Sequence, residues 1–183
     1  MKTIFIGLIF ILFDFPISLG PVTVGLIPTF VGFFLIAKGV KALYPYSYSF
    51  KSANTVSIIS LVFSAALYAI DLFALSPLLL SNRAVSFVIS IISAILYLTV
   101  IFHILKGIQE LEEDNDIKLG YSQLISCWKI ILVSELLIIS AGFIPPLALL
   151  CSILSLIISI VFLVFFRRTD KSFTSLVILP QNS

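Results

Sequence analysis

The chain has 183 residues, of which 60% are hydrophobic and 11% are charged, and its mean hydropathy is +1.21. A soluble globule of this size needs more polar surface than this composition supplies, so the composition indicates an integral membrane protein. The net charge of +2 is small and the basic residues are scattered, which argues against a nucleic-acid partner.

Six apolar helices are predicted from the order of apolar runs and turn residues. The first run follows Lys2 and resembles the core of a secretory signal, but Asp14 and Pro16 follow it in place of a cleavage site, which favours an uncleaved helix. The predicted helices cover approximately residues 3–19, 22–43, 55–75, 84–106, 123–143 and 146–166. Each is close to the ~20 residues that cross ~30 Å of hydrocarbon. The predicted fold class is therefore an all-α integral membrane bundle of six transmembrane helices, with residues 169–183 as a cytoplasmic tail.

The basic residues predict an orientation. Ten of the 11 Lys and Arg residues precede helix 1, surround the loops after helices 2 and 4, or follow helix 6, and the exception is Arg83. Because cytoplasmic loops are enriched in Lys and Arg, both termini are expected in the cytoplasm, with the protein in the cell (inner) membrane. The fourth helix is predicted to continue past residue 106 as a polar segment to about Asp116, which contains the acidic run at 110–116. This run falls on the same side, where it is interpreted either as a solvated helix end or as a docking site for a basic partner.

Gly25, Gly32 and Gly39 recur every seven residues in the second predicted helix. Seven residues are almost two helical turns, so the glycines would share one face on which a neighbouring backbone can approach. Such small-residue faces associate helices in lipid, and this one predicts a packing face at the centre of the bundle. The alternative is that glycine is common in membrane helices and the spacing arose by chance.

Two pairs of similar segments suggest an internal repeat. The sequence FFLIAKGVKAL at 33–43 can be laid over IFHILKGIQEL at 101–111, and GLIP at 25–28 over GFIP at 142–145. A tandem of three helical hairpins would explain these similarities, whereas a biased composition would produce them by chance.

Three acidic residues within the predicted spans, Asp14, Asp71 and Glu135, are the candidates for a polar interior site. An ionised carboxylate deep in the membrane costs ~3 kcal/mol or more unless it is paired, hydrated or protonated, so such residues face the protein interior. Serines recur at helical spacing near them, as Ser57, Ser60 and Ser64, as Ser86, Ser90 and Ser93, and as Ser152, Ser155 and Ser159. These faces are interpreted either as the lining of a hydrated path for a cation or protons, or as ordinary close-packing faces.

The chain lacks the local motifs of catalysis and metal binding. There is no Walker A, HExxH, GxSxG or CxxC motif, and His103 is the single histidine. We therefore expect no enzymatic activity, no metal site and no cofactor. Catalysis within the membrane by two aspartates, which requires none of these motifs, is the alternative.

The segment LIPTFVGFFLIAKG at 26–39 resembles a pattern found in small uncharacterised bacterial multi-pass membrane proteins, in which a segment of the type Leu-Pro-Asp-Phe-Ile-Gly-Tyr follows a short first helix. Thr29 stands where that pattern has aspartate, and Phe33 where it has tyrosine. The resemblance implies a six-helix bacterial inner-membrane protein and no known activity.

Two classes of function fit these features. The first is a non-catalytic accessory, binding or scaffolding component that contacts the lipid bilayer, another membrane protein or a second copy of itself, through the glycine face or the acidic loop. The second is a small transporter or channel that uses the intramembrane carboxylates. The first is favoured because the sequence shows no clear pair of broken helices of the kind transporters use.

Overall fold

The structure is a computed structural model that describes residues 1–12, 16–19, 22–25, 28–73, 83–140 and 145–178. Six α-helices make up most of these residues. They are α1 (Lys2–Leu12), α2 (Thr29–Lys41), α3 (Tyr48–Leu72), α4 (Arg83–Asn115), α5 (Tyr121–Ser140) and α6 (Pro145–Ile178). Between α1 and α2, strands β1 (Pro16–Leu19) and β2 (Val22–Gly25) pair antiparallel, and a 3₁₀ turn (Tyr44–Tyr46) precedes α3.

Four of the described helices, α3 to α6, are long and apolar enough to cross a membrane. Many of their large apolar side chains point away from the protein: Val62 on α3 and Leu150 on α6 are each 65% exposed. Exposing so large an apolar surface to water costs free energy, whereas contact with lipid tails does not carry that cost. The helical class and a membrane location are therefore supported by these four helices.

The first two helices are shorter than the sequence predicted. The predicted helices at 3–19 and 22–43 correspond to α1, with 11 residues, and α2, with 13 residues, which at 1.5 Å per residue are about 16 and 20 Å long. Neither reaches across ~30 Å of hydrocarbon alone. Prolines explain the difference, because Pro16 and Pro28 cannot donate to a helical hydrogen-bond ladder and the β-branched residues between them favour extended backbone.

Other helices extend beyond their predicted limits. α3 begins at Tyr48 because Ser47 caps it, its hydroxyl accepting a hydrogen bond from the Ser49 N–H at 3.1 Å. α6 continues to Ile178, so residues 169–178 of the predicted tail are helical. α4 continues past its apolar part through the acidic run to Asn115, which agrees with the predicted polar continuation of this helix.

The helices form a ring in chain order. Each one packs against the next in sequence, and α6 returns to pack against α1. Neighbours run antiparallel: Ile4 of α1 lies beside Gly39 of α2, and Thr169 of α6 donates a hydrogen bond to the Leu119 carbonyl just before α5. The end of the bundle that holds the end of α4 and the start of α5 carries most of the Lys and Arg residues, and we call it the basic end.

The apolar core fills the half of the bundle next to the basic end. Its largest fully buried side chains come from α1 to α6 and include Ile4, Ile36, Phe50, Ile104, Leu124 and Phe162. α3 and α4 are especially close there, because a Cβ on Gly107 would lie 2.7 Å from the Phe50 ring. The other half of the bundle is less completely filled, and it holds the candidate site.

Candidate functional site

A cavity of about 500 Å³ lies in the half of the bundle away from the basic end. It is bounded by the start of α2, the second half of α3, the first half of α4 and Glu135 of α5, with Ile11 from the end of α1. Its polar lining residues are Thr29, Ser60, Ser64, Tyr68, Asp71, Ser90, Ser93, Tyr97 and Glu135. Ligand pockets in proteins commonly have volumes of ~300–1,000 Å³, so the cavity is large enough for a small organic molecule.

Helical periodicity explains how α3 and α4 present this lining. Ser60, Ser64 and Asp71 are separated by four and seven residues, which places them on one side of α3. Ser90, Ser93 and Tyr97 follow the same rule on α4. The predicted serine faces of these two helices therefore line a common space in the structure.

The serine hydroxyls of the lining use their protons within their own helices. Ser60 donates to the Val56 carbonyl at 2.9 Å and Ser64 to the Ser60 carbonyl at 2.7 Å, while Ser90 and Ser93 donate to carbonyls one turn earlier on α4 at 3.0 and 2.9 Å. A hydroxyl whose proton is committed can still accept hydrogen bonds. Together with the two carboxylates, these oxygens make the cavity rich in acceptors.

Of the two carboxylates that line the cavity, Glu135 lies farther from the ends of its helix. It lies about 21 Å along α5 from Tyr121, and its Oε1 accepts a hydrogen bond from the Ser155 hydroxyl of α6 at 3.3 Å. Ser155 is buried and is not among the lining residues of the cavity, so its hydrogen bond fixes one Glu135 oxygen from the protein side. Asp71 lies in the last turn of α3 and lines the same cavity.

Aromatic rings complete the lining. Phe33, Phe63, Tyr68 and Tyr97 all border the cavity. Tyr68 also packs edge-on against Phe30 of α2, with ring centroids 5.3 Å apart. This contact holds α2 against α3 next to the cavity. Aromatic faces attract cations, so the rings and the carboxylates favour the same kind of ligand.

The structure brings together two of the three candidate acids. Asp71 and Glu135 line one cavity, whereas Asp14 lies outside the described residues. The tyrosines were not predicted as site residues, although a signal was present: Tyr68 follows Ser64 by four residues, and Tyr97 follows Ser93 by four.

No family model, curated protein or solved structure matches this chain. Within the described ranges, no group of three or more His, Cys, Asp and Glu side chains could hold a metal ion.

The three glycines of the predicted packing face do not all lie on one helix. Gly25 lies in β2 and is not part of α2, because the helix begins only at Thr29. Gly32 and Gly39 face α1: a Cβ on Gly32 would lie 2.8 Å from the Gly7 carbonyl oxygen, and one on Gly39 would lie 3.0 Å from the Ile4 nitrogen. Gly7, which the sequence analysis did not identify, completes this contact because its own Cβ would lie 2.7 Å from the Gly32 oxygen.

The acidic run at the basic end makes contacts within the chain. Glu110 accepts hydrogen bonds from the Ser47 and Ser49 hydroxyls and from the Ser49 N–H, at the start of α3. Glu112 accepts from three successive backbone N–H groups at the start of α5. These carboxylates cap helix N-termini, where negative charge is favourable.

Proposed function

We propose that this protein is a non-catalytic, multi-pass membrane protein that binds a small organic cation in the cavity between α2, α3, α4 and α5. The observation that carries this proposal is the meeting of Asp71 and Glu135 in one cavity whose serine hydroxyls have already donated their protons. Two carboxylates, together with serine oxygens that can still accept hydrogen bonds, are complemented by a ligand that donates hydrogen bonds and carries positive charge.

The aromatic lining favours an organic cation over a bare metal ion. Phe33, Phe63, Tyr68 and Tyr97 offer ring faces and apolar contact, which suit a charged nitrogen attached to carbon. A small hard cation would instead require six or more oxygen ligands at short distance.

The sequence suggested two surfaces for a partner protein, the glycine face and the acidic run. Both make contacts within the chain, which favours the cavity as the binding site. Gly32 and Gly39 are covered by α1, and Glu110 and Glu112 bond to helix N-termini of the same chain. A second membrane protein or a second copy would therefore bind elsewhere, through the exposed apolar faces of α3 to α6.

A small carrier is the second candidate function. The fully buried core, with Phe50 against Gly107, separates the cavity from the basic end. A protein that moved its ligand across the membrane would have to open this contact, whereas a binding protein would not. For the membrane setting we propose the cell (inner) membrane, with the basic end and both termini in the cytoplasm, on the basis of the Lys and Arg distribution.

The proposal is tested by thermal unfolding of the purified protein in detergent with a panel of organic cations, from tetramethylammonium and choline to linear diamines, each beside a neutral isostere. We expect at least one cation to raise the unfolding midpoint by several degrees and its neutral isostere to leave it unchanged, because binding to the native state stabilises it.

Variants identify the site. Asp71→Asn and Glu135→Gln should each reduce that stabilisation, whereas Glu113→Gln, which removes an exposed carboxylate outside the cavity, should retain it in full. Equal stabilisation of all three variants, or stabilisation by neutral solutes alone, would contradict the proposal. Uptake of the same cation into proteoliposomes would then distinguish the carrier from the binding protein.

A further inference from the structure

A second cavity, of about 560 Å³, lies at the basic end between the start of α5 and the C-terminal part of α6. It is separate from the carboxylate cavity and shares no lining residue with it. Its lining consists of Glu112, Lys118, Leu119, Gly120, Ser122, Gln123, Phe165, Arg168, Thr169 and Ser172. Polar and charged side chains dominate this list, in contrast to the apolar surfaces of the same helices nearer the bundle centre.

Two cationic side chains, Lys118 and Arg168, border this second cavity. Lys118 and Arg168 are exposed, and neither forms an ion pair with an acidic side chain among the residues that the structure describes. The Arg168 guanidinium lies 5.7 Å from the centre of the Phe165 ring, which holds it beside the cavity. Around them, Ser122, Gln123 and Ser172 supply groups that can donate hydrogen bonds to an anion.

Glu112 is the acid among the described lining residues, and backbone N–H groups already offset its charge. Glu112 Oε1 accepts hydrogen bonds from the N–H groups of Leu119, Gly120 and Tyr121 at 2.5, 2.6 and 3.1 Å. Three donors and the positive end of α5 offset its charge. The same bonds occupy these N–H groups, so an anion in the cavity would be held by the side chains of Lys118 and Arg168.

The cavity lies where the apolar surface of α6 ends. Val161 and Val164 are exposed apolar side chains, and the chain then changes to Arg167 and Arg168. In a membrane this change marks the boundary between hydrocarbon and water, the depth at which lipid phosphates lie. Basic pockets between helices at this depth bind anionic lipid headgroups.

We propose that this second cavity binds the phosphate headgroup of an anionic phospholipid, with Lys118 and Arg168 as its two cationic contacts. A lipid is favoured over a soluble phosphate compound because Phe165, which lines the cavity, is one helical turn from Val161 and next to Val164. These two exposed side chains belong to the apolar face of α6, along which acyl chains can lie. The proposal does not depend on the ligand of the carboxylate cavity.

The test measures binding of phosphatidylglycerol to the full-length protein in mild detergent by native mass spectrometry, with phosphatidylcholine as the zwitterionic reference. We expect preferential binding of phosphatidylglycerol to the wild type. In the double variant Lys118→Gln/Arg168→Gln, phosphatidylglycerol should bind about 30-fold more weakly, the factor expected for losing two basic contacts at a membrane surface.

The control is Lys41→Gln/Arg167→Gln, which removes the same charge from exposed residues outside the cavity at the same end of the bundle. An equal loss of affinity in the control would show a general charge effect and overturn the proposal. A competition experiment with glycerol phosphate distinguishes a lipid headgroup from a soluble phosphate compound. If glycerol phosphate at equal concentration displaces the lipid, the site binds free phosphate compounds and the lipid assignment is wrong. Native mass spectrometry separates folded from unfolded molecules by charge state, so lipid binding is compared among folded molecules only and a partial loss of folding in either variant does not alter these outcomes.

Discussion

The contact between α1 and α2 gives the most specific stability prediction, the effect of Gly32→Leu. At Gly32 a Cβ would lie 2.8 Å from the Gly7 carbonyl oxygen and 3.0 Å from the Phe10 Cβ, and the first of these is a backbone atom that cannot rotate away. A leucine must therefore push α1 from α2. Overpacking of this kind costs ~1–3 kcal/mol, and the large leucine places it at the upper end. Replacing glycine inside a helix also stabilises the helix by ~1 kcal/mol through its higher helix propensity, so the net loss in the free energy of unfolding is about 2 kcal/mol.

The assay is thermal unfolding in detergent, followed by fluorescence of the single tryptophan, Trp128. For a domain of this size, 2 kcal/mol corresponds to a fall of about 4–8 °C in the midpoint. The control is Phe34→Leu on the same helix, which changes a side chain that is 54% exposed and should alter stability by less than ~0.5 kcal/mol. A midpoint for Gly32→Leu equal to that of the control would refute the inference that the two backbones meet at this glycine.

Three further predictions follow from other contacts. Glu112→Ala removes the acceptor for three backbone N–H groups and should destabilise the protein by about 1–3 kcal/mol, whereas Asp114→Ala, an exposed acid on the same helix, should leave the denaturation midpoint unchanged. Gly107→Ala should lower the thermal midpoint because its Cβ meets the Phe50 ring at 2.7 Å, and Phe50→Leu in the same molecule should recover part of the loss, as a double-mutant cycle would measure. In whole cells, an impermeant thiol reagent should label Phe73→Cys and not Asp114→Cys, in a background with Cys127 and Cys151 replaced; the reverse pattern would contradict the proposed orientation.

The long helices were predictable because their signal is local. A run of about 20 apolar residues satisfies the requirement for a membrane helix without reference to the rest of the chain, and α3 to α6 all contain such runs. The structure between α1 and α2 was not predictable in this way, because the apolar residues of this region also suit extended backbone. There the prolines at 16 and 28 decided the local structure, so that Gly25 lies in a strand and only Gly32 and Gly39 share α2.

The candidate site was predictable within each helix and not between helices. Spacings of four and seven residues placed Ser60, Ser64 and Asp71 on one face of α3 from sequence alone. Their meeting with Glu135 of α5 depends on the ring arrangement of the helices, which leaves no periodic signal in the sequence. The contact of Gly7 with Gly32 is likewise tertiary, and a single glycine in α1 carries no spacing by which to recognise it.

The capping roles of the acidic run illustrate the same limit. Sequence reasoning located Glu110 and Glu112 at the end of a long helix, where a solvated surface is the simplest expectation. The structure shows that their partners lie at the starts of α3 and α5, which are brought to the same end of the bundle by antiparallel packing. These contacts could be inferred only once the order of the helices was known.

The central claim is that Asp71 and Glu135 bind one cationic ligand in a common cavity, and the most direct test is an equilibrium dissociation constant. The cation that most stabilises the wild type would be titrated into wild type, Asp71→Asn, Glu135→Gln and Glu113→Gln. A charge-assisted hydrogen bond contributes about 1.5–3 kcal/mol, so each cavity variant should bind at least about 10-fold more weakly, while Glu113→Gln binds as the wild type does. Unchanged affinity in either cavity variant would show that the two carboxylates do not form one binding site.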